Sequence, residues 1–294
     1  MLTVKSYAKL NLVLEVLGKR ADGYHELSSV FQTISLHDLL CFSGRRDGRI
    51  VLSCDDPSLP VDETNLVIKA AQLLRARLQA RPSPHQRALG ATIKLRKRIP
   101  VGAGLGGGSS NAAVTLKTLL KLWNVKGFAH NDLSALAAEI GSDVPYFLSG
   151  GTCLVTGRGE LVKPVRPLPK LHIVLIFPQI AVATAWAYRQ LKFALTKQPQ
   201  YSTILAFRGR ARANILGIAR LLYNDFEKAV IPHQPPIARA RQDLVGSGAL
   251  GALMSGSGSS VFGLYKDRES AHRAWRQLEP GWPASFLVES IGTL

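Results

Sequence analysis

Cysteine is scarce: Cys41, Cys54 and Cys153 are the only three in 294 residues, and no two stand in a CxxC pair. An odd number of scattered thiols argues against a disulfide framework and a structural zinc, and fits a reducing cytoplasmic setting. No apolar run approaches the roughly 20 residues that span a bilayer, so no membrane segment is expected. The N-terminus, MLTVKSYAKLNLVLEVLGKR, is interrupted by Lys5, Lys9 and Glu15, and reads as structure rather than a leader. Aromatic residues make up only 7%, and 20 acidic residues face 37 Lys and Arg, a formal net charge of +17. There is no dense basic tail; the cations are dispersed through Arg45–Arg46, Arg75–Arg87, Lys94–Arg98 and Arg208–Arg212. Such a charge suits a nucleic-acid partner, polyanionic substrates steered into a positive cleft, or a generally basic surface, and does not choose among them. What the chain does have is apolar residues, 46% against 19% charged, enough for two ordinary domains with a sizeable core.

Residues 2–16 alternate. Leu2, Val4, Ala8, Leu10, Leu12, Leu14 and Val16 fall on one side, and Lys5, Tyr7, Lys9, Asn11 and Glu15 on the other. A strand with one buried face is expected, presenting Lys9 and Asn11 side by side. Asp22-Gly23 marks a turn before Tyr24-His25-Glu26 and the apolar stretch Val30–Leu40. The spacing predicts a strand at 50–54, a helix over 65–78, an exposed loop over 80–90 and a strand over 91–99. Helical spacing sets in at Ser110, and again from Asp132 with Asn131 as N-cap and Gly141 just past the end. The proline-rich KPVRPLPK (163–170) suggests a boundary, giving domains 1–160 and 161–294. The second half reads as a strand at 171–177 and helices at 184–195, 211–222 and 236–245. Strands at 250–254 and 259–265, a helix at 268–278 and a strand at 285–291 follow. Mixed elements with mostly short connections predict an α+β class.

The strongest local signal is Pro100-Val101-Gly102-Ala103-Gly104-Leu105-Gly106-Gly107-Gly108-Ser109-Ser110-Asn111, between a strand and a helix. Five glycines in seven positions cost chain entropy and contribute nothing to a core. They do allow backbone N–H groups to approach an anion at a helix N-terminus, so the segment reads as a phosphate cradle. A Walker A loop would end in Gly-Lys-Ser/Thr, and that lysine is absent. Gly102, Gly104 and Gly107 satisfy GxGxxG, but residues 122–131, LWNVKGFAHN, lack the acid a dinucleotide fold needs there. The preceding strand is also half basic, unlike a strand buried on both faces.

With Ala8-Lys9-Leu10-Asn11 before it and Leu253-Met254-Ser255-Gly256-Ser257-Gly258-Ser259-Ser260-Val261-Phe262 after it, this loop resembles the three-motif layout of the GHMP kinases. Ala21–Leu27 (ADGYHEL), Gly141–Pro145 (GSDVP) and Asn224–Glu227 (NDFE) narrow the resemblance to one branch. Its acceptor is methylerythritol joined through a diphosphate to cytidine, phosphorylated on the 2-hydroxyl on the way to isoprenoid precursors. The resemblance implies a two-domain GHMP kinase fold, with an N-terminal ATP-binding domain, a ferredoxin-like C-terminal domain and the substrate cleft between them. It implies ATP as co-substrate with Mg2+, whose ligands it leaves open. Asp143 would be the base beside Lys9, and residues 100–111 the phosphate cradle, with Ser109, Ser110 and Asn111 meeting phosphate or magnesium. Asn11 would position the methylerythritol; Tyr24 and His25 would read cytidine, joined by Thr184 and Tyr188, with Tyr188 as second stacking partner. Asn65, Lys94 and Lys97 are candidates for the adenine side. From residue chemistry alone, Asp143 reads better as a cap before Pro145 and Lys9 as a solvated strand residue. No nucleic-acid partner is expected, since one would account for the charge but not for the glycine loop, Lys9 and Asp143.

Overall fold

The computed structural model describes residues 1–80, 88–191 and 214–294, which form two compact units, each assembled from separate stretches of chain. The first comprises Met1–Ala8, His37–Ile99 and Gly106–Ser149; the second comprises Lys9–Leu36, Pro100–Leu105 and Gly150–Leu294. Two long strands, β1 (Leu2–Lys19) and β2 (His25–Arg45), therefore contribute residues to both.

In the first unit β4 (Gly90–Arg96) lies between β2 and β3 (Ile50–Cys54). It runs antiparallel to β2, with Leu39 opposite Arg96 and Phe42 opposite Ile93, and parallel to β3. Helices α1 (Leu66–Gln79), α2 (Gly107–Leu122) and α3 (His130–Ile140) pack on one another, and the short α4 (Tyr146–Ser149) rests on α2. Asn65 caps α1, its side chain accepting from the Val67 amide at 3.0 Å. In α2 the buried Ala112, Ala113, Leu116 and Leu119 form the inward face that the helical spacing requires. The helix begins at Gly107, three residues before the expected Ser110, because the left-handed Gly106 at its cap turns the loop directly into it. Likewise α3 begins at His130 with Ala129 in the cap position, so Asn131 lies inside the helix and caps nothing. Gly141 ends α3 in extended backbone (φ 178°).

In the second unit β7 (His172–Ile176), β9 (Gly251–Met254), β10 (Val261–Tyr265) and β11 (Ser285–Glu289) form an antiparallel sheet in the order β11-β7-β10-β9. Between β7 and β9 come α5 (Thr184–Gln190), α6 (Ile215–Arg220), the two-residue β8 (Tyr223–Asn224), α7 (Asp225–Val230) and α8 (Pro235–Gly246). Helix α9 (Arg268–Leu278) joins β10 to β11, which completes a ferredoxin-like arrangement. Ile237, Ala240 and Leu244 of α8 and Ala271, Ala274 and Leu278 of α9 share one core with Val174, Ile176 and Tyr265 of this sheet. Leu14, Val16 and Leu27 of the first two strands enter the same core. Also in this unit, β5 (Thr152–Gly157) pairs with β2 and with β6 (Leu161–Pro164), while β1 pairs with β8. Composition hides β5 and β6, since one carries glycines at its borders and the other ends in proline.

Strand β1 departs from expectation: it is buried on both faces from Ala8 to Val16, including Lys9, Asn11 and Glu15. The polar face is covered because other segments bond to it, as described below. Helix α5 ends at Gln190, with Leu191 already in extended backbone, short of the expected 195, and α6 begins only at Ile215, after the extended and capping Asn214, later than the expected 211. Most of the loop over 80–90, along with 192–195 and 211–213, lies outside the described residues.

Candidate functional site

Strand β1, the glycine loop and the turn after β9 meet in the second unit. The Lys9 amide donates to the Leu105 carbonyl at 3.0 Å, which fastens β1 to the glycine loop. The Ser255 hydroxyl donates to the Gly104 carbonyl at 3.0 Å and accepts from the Asn11 amide at 3.4 Å. The Ser260 amide donates to the Ala103 carbonyl at 3.2 Å. These contacts bring together all three segments that carry the resemblance. Gly104 permits the approach: its φ is +74°, and a Cβ there would lie 2.1 Å from the Ser255 carbonyl oxygen.

The turn after β9 is itself held from behind. Asn224 accepts from the Phe226 amide, capping α7, and donates to the Met254 and Gly256 carbonyls at 2.7 and 2.8 Å. Glu227 accepts from the Met254 amide at 2.9 Å, and burial raises its carboxyl pKa. Asp225 accepts from the Val16 amide at 2.9 Å and from the Tyr223 hydroxyl at 2.6 Å. The NDFE segment thus positions the turn and β1.

On β1, Lys9 is 3% exposed; its ammonium donates to Asn11 Oδ1 at 2.6 Å and lies 4.6 Å from the centre of the Phe31 ring. Asn11 in turn donates to the Ser29 hydroxyl at 3.0 Å. The expected side-by-side placement of Lys9 and Asn11 is therefore seen as a direct bond. Neither sequence pattern nor resemblance had singled out Phe31 or Ser29, and Ser255 stood only as one member of the C-terminal motif.

In the first unit the start of α2 sorts its polar side chains. Ser110 and Asn111 are buried, and the Ser6 hydroxyl lies 2.7 Å from both the Ser110 hydroxyl and Asn111 Oδ1. Ser109 is half-buried, and Gly102 and Gly108 are exposed. Asp143 is half-buried in a turn that the Val144 amide closes onto the Gly141 carbonyl at 3.1 Å. Asn65, as the cap of α1, and Lys97, whose ammonium is 2.8 Å from Asp38, both have structural partners, while Lys94 is exposed.

The remaining candidates gather in the second unit. The His25 and Tyr188 rings stack at 4.5 Å with 16° between planes, and Phe226 meets Tyr188 edge-on at 4.9 Å. Burial, aided by the Lys19 ammonium, lowers the His25 pKa from its ordinary 6.5. Tyr24 is 51% exposed, with the Arg158 guanidinium 4.9 Å from its ring centre. Thr184 opens α5 one turn before Tyr188, and its hydroxyl lies 3.0 Å from that of Ser257. An exposed aromatic face and a neutral imidazole suit a planar, hydrogen-bonding ligand. Among the described residues there is no cluster of three or more His, Cys, Asp or Glu able to hold a metal, and no helix long and apolar enough to cross a membrane.

Residues 65–151 match the GHMP kinases N terminal domain, and residues 206–283 match the GHMP kinases C terminal domain. The chain is 44% identical over 273 residues to the 4-diphosphocytidyl-2-C-methyl-D-erythritol kinase of Pelotomaculum thermopropionicum, covering 93% of this chain and 92% of that protein. It is 40% identical to the kinase of the same name from Prosthecochloris aestuarii, covering 99% and 98%. The crystal structure of a 4-(cytidine 5'-diphospho)-2C-methyl-D-erythritol kinase superposes with a TM-score of 0.78 at 34% identity, covering 99% of this chain and all 100% of that one. A homoserine kinase from Cytophaga hutchinsonii, at 22% identity and a TM-score of 0.70, shares the fold. Full-length identity at this level, together with the meeting of the three motifs, leads to one conclusion: the chain belongs to the GHMP kinases, and among them to the 4-diphosphocytidyl-2-C-methyl-D-erythritol kinases.

Proposed function

We infer that this chain transfers the γ-phosphate of ATP to the 2-hydroxyl of 4-diphosphocytidyl-2-C-methyl-D-erythritol, a step toward isoprenoid precursors. One observation carries the reading: strand, glycine loop and C-terminal turn are bonded together at Lys9–Leu105, Asn11–Ser255 and Ser255–Gly104. A loop so fastened presents its N–H groups in a fixed array, which is what charge neutralisation on a transferring phosphoryl group requires. Residues 100–111 supply that cradle. Asp143 takes the proton of the attacking hydroxyl, and Lys9 stabilises the alkoxide as it forms. Transfer is direct and in line, with no phosphorylated side chain. Tyr24, His25 and Tyr188 engage the cytosine, with Asn11 and Thr184 on the rest of the acceptor.

Magnesium suits this donor set only as a nucleotide-borne ion. Mg2+ commonly keeps its waters and binds through substrate phosphates, and the described residues offer no acidic cage of their own. Ser109, half-buried at the start of α2, is the side chain we assign to it, because the Ser110 hydroxyl and Asn111 Oδ1 are bonded to Ser6. When bound, the ion neutralises phosphate charge. Three cysteines without a disulfide support a reducing, cytosolic setting.

The test is ADP release from ATP and magnesium with the cytidylyl acceptor, mevalonate or homoserine offered separately. Turnover with the cytidylyl acceptor alone is expected, falling about 10²–10⁴-fold in Asp143→Asn. Turnover with another acceptor instead would remove Tyr24 and His25 as cytidine readers.

A further inference from the structure

Between β4 and Pro100 lies Lys97-Arg98-Ile99, and all three of its backbone amides are held by carboxylates distant in sequence. Asp55 accepts from the Lys97 amide at 2.8 Å. Asp38 Oδ1 accepts from the amides of Arg98 at 2.7 Å and Ile99 at 2.8 Å. The other oxygen of Asp38 accepts from the Lys97 ammonium at 2.8 Å, and that ammonium also donates to the Ile99 carbonyl. The Asp38 side chain is fully buried and that of Lys97 is 8% exposed. A carboxylate withdrawn from water in this way is tolerated only when its oxygens are satisfied, and here three donors satisfy them. A plain connection between a strand and a loop needs no such clamp.

The clamp reaches the phosphate cradle at two points. It fixes the residue next to Pro100, and it seats the Lys97 ammonium 3.1 Å from where a Cβ on Gly107 would be. Gly107, the first residue of α2, is thus a glycine because Lys97 and Ile99 pack against it. A cation beside the positive end of a helix is unfavourable alone and favourable toward a polyphosphate. Asp38 offsets the repulsion and keeps the ammonium in place.

We propose that Asp38, assisted by Asp55, is a positioning residue for the nucleotide: it sets the start of the glycine loop and holds Lys97 against the first turn of α2. The proposal rests on the kinase reading above. It concerns ATP and not the acceptor, so the two ligands must respond differently.

Asp38→Asn keeps an oxygen for the Arg98 and Ile99 amides and releases the ammonium; Lys97→Met removes the cation and preserves the packing of its stem. Calorimetric titration of the full chain with ADP, and separately with cytidine diphosphate, reads the outcome. Weakening of ADP by about tenfold is expected in each variant, the loss of one charge-assisted bond. The double variant should be little weaker than either single one, since the two residues act together. Cytidine diphosphate should bind as before, and in turnover KM for ATP should rise while KM for the acceptor holds. Unchanged ADP binding in a folded Lys97→Met, with wild type binding normally, overturns the proposal alone. Equal weakening of both ligands also overturns it, as general destabilisation. Failure of wild type to bind ADP overturns the kinase reading and the proposal with it. If Asp38→Asn does not fold, Lys97→Met decides.

Discussion

His25 and Tyr188 lie nearly parallel at 4.5 Å, and burial together with the Lys19 ammonium holds the imidazole below its ordinary pKa of 6.5. A neutral ring can donate from one nitrogen and accept at the other, as the edge of a base requires; an imidazolium can only donate. The sign follows from the lowered value. Unfolded chains take up a proton near 6.5 while the folded ring resists it. The contribution of the neutral form is complete above that value and is lost as pH falls through the lower, folded one. Wild-type kcat/KM for the cytidylyl acceptor is therefore expected to fall on the acid side with the slope of one proton, and KM for ATP to change little. His25→Gln, which can still bond a base edge but does not titrate, should flatten that limb at lower overall efficiency. An acid limb that survives the substitution would assign the proton to another group.

Among elements, the decisive contact is that of the glycine loop with the turn after β9. Gly104→Ala places a methyl 2.1 Å from the Ser255 carbonyl oxygen, far inside van der Waals contact, in a left-handed backbone conformation. One of the two segments must move, and displacement of about 1 Å can cost 10²-fold in rate. A fall of about that size in kcat/KM is expected, read by ADP release beside a melting curve. A variant that keeps wild-type turnover would show that the loop does not need this anchor. Both partners of the contact were legible in the sequence, the glycine run between a strand and a helix because it has few other uses, and the turn after β9, unremarkable by itself, through its place in the three-motif layout. The alternation in β1 located Lys9 and Asn11 on one face but misjudged their exposure, since it cannot register segments that arrive from elsewhere. Strands β5 and β6 were missed because glycine and proline at their borders imitate a linker. Of the Asp38 clamp only Lys97 was named, for the adenine side, and its carboxylate partners left no trace. A single acid in SLHDLL reveals nothing of the amides about 60 positions later that it will hold.

Over the whole molecule, 37 cations against 20 anions leave the excess of 17 without a pattern. Exposed acids such as Asp22, Asp47, Glu139 and Glu269, and the half-buried Glu26 and Glu289, each lie beside an arginine or lysine. Pairs of that kind contribute little to stability, about 0–1 kcal/mol. The excess then acts as a diffuse positive field, which speeds arrival of anionic substrates and is weakened by salt. A surface that tracked a nucleic-acid backbone through 6–10 phosphate contacts would instead lose about 10³–10⁵ in affinity between 50 and 200 mM salt. The two cases separate cleanly in a paired titration. Kinase kcat/KM is expected to decline several-fold over that range with kcat nearly constant, the mark of a field that governs encounter. Single-stranded RNA should bind weakly at 50 mM, release at 200 mM and leave turnover unaffected. RNA that held at 200 mM and competed with ATP would mean that the same positive surface serves a second, polymeric ligand, and the charge would then need that function to explain it.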